Sequence, residues 1–155
     1  EQAALHQRLG ELALDAGQGK EALASLERAA SLGAEAPKDR ALLAEALLRH
    51  AQEPMRAEVL LREALAAHPD RARWRALLGW ALLKRSVYEE ALTVLEAAAQ
   101  ARAEDPEVLL WLGEAQLADG QMDGARESWR RALGLTRDQA LRAQLQRKLA
   151  QVPGP

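Results

Sequence analysis

The 155 residues predict an all-α fold, and three observations predict it. Alanine, leucine, glutamate and arginine dominate, phenylalanine is absent and β-branched residues are scarce, which favours helix over sheet. A set of small and large apolar residues recurs about every 34 residues. Each recurring unit also splits into two apolar-periodic halves around a helix breaker, the pattern of a helical hairpin.

Taken in order, the first unit (about 3–37) carries Gly10, Ala22, Leu26 and Ala29, with a breaker at Gly17 to Gly19. A step of 35 leads to the second (38–71), because one extra residue sits in the Gly33-Ala34-Glu35-Ala36-Pro37 connection. That unit keeps Ala57, Leu61 and Ala64, breaks at Gln52 to Pro54, and places Glu45 where the others have glycine. The third (72–105) has Gly79, Ala91, Leu95 and Ala98 around a break at Arg85 to Val87. The fourth (106–139) repeats them as Gly113, Ala125, Trp129 and Ala132, with a break at Asp119 to Gln121. Pro54 suits the first turn of a helix, and Pro69 and Pro106 fall between units, where a helix must stop. A last helix, about 138–151, places Leu141, Leu145 and Leu149 on one face and is expected to cap the array. Residues 152–155 read as a linker or tail, and the start at Glu1-Gln2-Ala3 reads as that of a trimmed fragment.

Leu78-Gly79, Tyr88-Glu89-Glu90-Ala91, Ala91-x3-Leu95-x2-Ala98, Leu112-Gly113 and Ala125-x3-Trp129-x2-Ala132 resemble the tetratricopeptide repeat (TPR). The resemblance covers nearly the whole chain. It implies one domain over 1–151, a right-handed superhelical array of antiparallel helix hairpins with a C-terminal capping helix. Small residues at these points let helix axes approach, and the large residue beside them fills the space between hairpins. Glu45 in place of glycine implies looser packing in the second unit.

In the family the first helix of each hairpin lines the concave wall, so the resemblance implies groove positions. They are Gln7, Glu11, Leu14 and Asp15, then Asp39, Leu42, Ala46, Arg49 and His50. The third unit presents Arg73, Ala76, Trp80, Leu83 and Lys84, and the fourth Glu107, Leu110, Glu114, Leu117 and Ala118. The strongest partner-binding candidates are Arg49, His50, Arg73, Trp80, Leu83, Lys84, Leu110 and Glu114. Trp80 is either an anchor for a partner or inter-repeat packing against Leu83 and Leu110. Trp129 and Tyr88 are expected to be structural, and Trp74 and Trp111 mainly core. Arg49, His50, Arg73 and Lys84 form a basic stretch, either for a segment mixing apolar and acidic residues or as an ordinary solvated face. The clamp by which some TPR proteins hold a C-terminal carboxylate is not supported by Gln7, Glu11, Leu42, Ala46, Arg73 and Leu77.

No cysteine is present, so neither a disulfide nor a thiolate metal site can form. Twenty-one basic and 23 acidic side chains leave a net charge of −2, which argues against a nucleic-acid partner. No stretch approaches the roughly 20 apolar residues of a membrane span. The three histidines, His6, His50 and His68, lie in different units. Gly17-Gln18-Gly19-Lys20 lacks the first glycine and the Ser or Thr of a phosphate loop, having Leu14 and Glu21 instead. No catalytic constellation or cofactor is expected. The reading is a non-catalytic protein-binding adaptor or assembly factor. The alternatives are a self-assembling scaffold and a regulatory segment of a larger enzyme or envelope protein. Seventeen arginines against 4 lysines suggest a bacterial source and leave the compartment open.

Overall fold

The computed structural model describes residues 1–152. Among them every regular element is helical: α1 (Gln2–Asp15), α2 (Gly19–Ser31), α3 (Pro37–Ala46), α4 (Pro54–Ala67), α5 (Ala72–Lys84), α6 (Tyr88–Ala101), α7 (Pro106–Ala118), α8 (Met122–Leu135) and α9 (Gln139–Gln151). A π-helical turn, Leu47–Ala51, continues α3. The chain forms two compact units, Glu1–Ala81 and from Leu82 onward, with the boundary inside α5. Of the tail expected over 152–155, Val152 is buried and the rest lies outside the described residues.

In the first unit α1 pairs with α2 and α3 with α4, and α2 packs on α3. Gly10 is required at the first crossing, since a Cβ there would lie 2.6 Å from Leu26 Cγ. Ala22, Leu26 and Ala29 are accordingly buried. The second hairpin buries Ala57, Leu61 and Ala64 completely, so the looser packing expected from Glu45 does not appear as an exposed core. The last turn of the first helix of that hairpin widens to π geometry. Arg56 on α4 reaches back to Glu27 on α2, 2.8 Å away.

In the second unit α6 packs on α7, α7 pairs with α8, and α9 lies on α8. Trp129 fills the α7–α8 crossing at Gly113, where any Cβ would run into its indole, and its Nε1 donates to the Leu110 carbonyl at 3.1 Å. α9 is tied down at its start. Asp138 Oδ1 accepts from Ala140 and Leu141 N–H, and Arg142 donates to the carbonyls of Leu133 and Thr136 at 2.9 and 3.0 Å. Leu145 then sits fully buried, with Leu141 and Leu149 half-buried beside it.

One backbone feature recurs at each hairpin turn. Gly17, Gln52, Ser86 and Gly120 take positive φ of 72°, 53°, 62° and 82°. After Gly17, Ser86 and Gly120 the next N–H closes a bond to a carbonyl five residues back, as in a Schellman turn. After Gln52 the bond from Glu53 reaches Leu47, six residues back and at 3.4 Å, because the π turn is wider.

Candidate protein-binding cleft

Within the first unit, the polar side of α1 faces the start and end of α3 across an open cleft of about 590 Å³. Glu11, Leu14 and Asp15 line one wall, and Lys38, Leu42, Glu45, Arg49 and His50 the other. Leu14 and Leu42 supply the apolar surface. The charged groups are largely matched among themselves.

Glu11 accepts from Lys38 Nζ at 2.6 Å and from Arg8 Nη1 at 3.0 Å. The Lys38 bond, aided by Arg8 and opposed by burial, holds its carboxyl below the ordinary value of 4.5. Glu45 is a two-way acceptor: Arg49 Nη2 and Arg73 Nη2 both reach its Oε1 at 2.9 Å. Arg49 also stands 5.5 Å from the centre of the Trp80 ring, a cation–π distance. His50 lies directly over Gly19 at the start of α2, so closely that a Cβ on Gly19 would overlap its ring.

Four of the expected site residues, Arg49, His50, Arg73 and Trp80, therefore occur in one unit, three of them joined through Glu45 and its arginines. Glu45 and Lys38 were not among the expected site residues. The sequence signal for Glu45 was its departure from glycine; Lys38 had none, because its partner lies 27 residues earlier.

The second unit holds Leu83, half-buried, and Lys84, exposed. Leu110 corrects the sequence expectation: at 4% exposure it belongs to the core and does not line a groove. It sits in the buried run Val108–Leu112 of α7, whose apolar residues extend round most of the helix, so repeat position alone does not single out a groove face. Ala46 and Ala76 are likewise fully buried. Glu114 is engaged by Lys148 of α9 at 2.7 Å, and that ammonium lies 5.7 Å from the Trp129 ring centre. Tyr88, expected to be structural, is 44% exposed at the first position of α6. Trp111 is buried, and Trp74 is half-buried between His68, edge-on at 6.0 Å, and Arg71.

The paired small residues at the hairpin crossings have a counterpart in known proteins. The tetratricopeptide repeat profile matches residues 42–106 and again 78–140. The chain belongs to the tetratricopeptide repeat family. Its all-helical hairpins are those of solved TPR proteins. MamA (residue 41 to the end) from Desulfovibrio magneticus RS-1 is 25% identical, with a TM-score of 0.72 over 97% of this chain and 85% of that one. TTC0263 of Thermus thermophilus is 22% identical, with a TM-score of 0.78 over 96% and 82%. PilF of Pseudomonas aeruginosa is 25% identical, with a TM-score of 0.69 over 100% and 78%. Among curated proteins none matches the sequence. Among the described residues of this TPR chain no cluster of three or more His, Asp or Glu could hold a metal, and no helix is long and apolar enough to cross a membrane.

Proposed function

We propose that this TPR chain is an adaptor or assembly factor that holds a segment of a protein partner in the cleft of its first unit. The TPR fold supports a protein-interaction role in general, and the cleft supports its location. The observation that carries the reading is the combination of apolar Leu14 and Leu42 with a paired cationic rim, Arg49 and Arg73, beside a half-buried Trp80. An amphipathic aromatic next to arginine is the composition of binding hot spots. A segment with apolar side chains for the leucines and a carboxylate for the rim fits it. The arginine-rich composition and the bacterial sources of the similar structures support a bacterial adaptor.

The test is capture of partners from lysate by the wild-type chain and by the double variant Trp80→Ala, Arg73→Glu, after circular dichroism shows the two equally helical. A partner held by wild type and lost by the variant supports the cleft. A partner held equally by both moves the binding surface elsewhere.

A further inference from the structure

The first unit holds a second cavity, at the one place where the repeat spacing departs from 34. The connection from α2 to α3 runs over residues 32–36, one residue longer than those from α4 to α5 and from α6 to α7. It turns at Gly33, whose φ is 89°, and the Ala34 N–H closes on the Ala29 carbonyl at 3.0 Å. Beyond that turn Ala34 and Glu35 join the wall of a pocket of about 180 Å³. Leu26, Ala29 and Ala30 of α2, Leu43 of α3 and Leu60 of α4 make its lining mainly apolar. An apolar cavity of about 150 Å³ holds a benzene ring, so this one fits a compact body of roughly six to nine heavy atoms. It shares no lining residue with the cleft proposed for a protein segment.

The polar groups at this pocket set the sign of what it accepts. Arg40 is already matched by two carboxylates, Glu63 at 3.2 Å and Glu35 at 3.8 Å. Lys38, next to Asp39 in the chain, is held by Glu11. Asp39 itself lines the pocket, half-buried, and has no ion-pair or side-chain hydrogen-bond partner among the described residues. The side-chain amide of Gln7, which also lines the pocket, is likewise without one. A carboxylate partly withdrawn from water beside an apolar wall is stabilised by a cation that donates hydrogen bonds to it. We propose that this pocket binds a small primary ammonium with a compact apolar body. The body packs against Leu26, Leu43 and Leu60, and the ammonium donates to the Asp39 carboxylate and the Gln7 amide oxygen. An anion of the same size would meet Asp39 and Glu35, with Arg40 already engaged.

Benzylamine, protonated at pH 7, is the probe, titrated to about 50 mM against the isotope-labelled 155-residue chain and followed by amide NMR shifts. Saturable shifts are expected around residues 26–43, with a Kd of about 0.5–5 mM for so small a ligand. Benzyl alcohol is expected to bind about tenfold more weakly and benzoate not to bind. Asp39→Asn is expected to bring benzylamine down to the level of benzyl alcohol, whose own binding it leaves unchanged. Ala30→Leu, which fills the cavity from its α2 wall, is expected to abolish both, so the site is tested from two sides. The absence of saturable shifts over the whole range overturns the proposal, as does benzylamine binding that survives both substitutions. Methylamine shifting the same signals with equal affinity overturns the apolar half of the site, and benzoate binding as tightly as benzylamine overturns the role of Asp39.

Discussion

Single positions set much of this structure. Gly113 has no room for a methyl group against Trp129, and Trp129 is pinned by its bond to the Leu110 carbonyl. Gly113→Ala is expected to lower stability by about 1–3 kcal/mol in urea titration, the usual penalty of overpacking. The left-handed turn residues point the other way. Gln52 and Ser86 hold φ angles that suit glycine, as found at Gly17 and Gly120. Gln52→Gly and Ser86→Gly are each expected to gain about 0.5–1 kcal/mol, the left-handed strain relieved less the added chain entropy. Glu11 carries a pH dependence. Because its carboxyl is held below 4.5 in the folded chain, its stabilisation is complete above that pH and is lost as the pH falls through the lowered value. Glu11→Gln is therefore expected to cost up to about 1 kcal/mol at pH 7, with the difference from wild type closing in melts as the pH falls through that lowered value.

At the level of elements, the helices and their order were legible because the small-residue spacing is a packing requirement that repeats. Gly10 against Leu26 and Gly113 against Trp129 are that requirement in atoms. The π turn after α3 was not legible: the second hairpin has the same length from position 45 to its turn as its counterparts, so nothing in the count marks a wider last turn. The burial of Leu110 was hidden for a different reason, since apolar residues surround most of α7 and spacing alone does not single out its buried face. α9 follows the amphipathic rule more closely. With Leu145 fully buried and Lys148 engaged by Glu114, Leu145→Ala is expected to cost about 2–4 kcal/mol in thermal or chemical unfolding. Removing residues from Asp138 onward is expected to lower the melting temperature further and to reduce solubility, as the covered face of α8 meets water.

For the whole molecule, the two compact units divide within α5, so neither can be excised without cutting a helix. We propose that residues 1–151 act as one domain. Expressed separately, 1–81 and 82–155 are expected to show a summed helical circular dichroism below that of the intact chain. The candidate site was legible only in part. Repeat position pointed to Arg49, Arg73 and Trp80, but not to Glu45, the group that gathers the arginines: its i,i+4 pairing with Arg49 is a local pattern, whereas its contact with Arg73, 28 residues away, is one that no local pattern displays. That carboxylate has a consequence for selectivity. A partner's acidic group reaching Arg49 and Arg73 would meet cations already served by an anion of the chain's own, and would have to trade places with it. Binding at the proposed cleft would be an exchange between two carboxylates and not the filling of an unmet charge, so bare acidity would confer little advantage on a partner. The fit of its apolar side chains over Leu14, Leu42 and the Trp80 ring would be left to choose among partners.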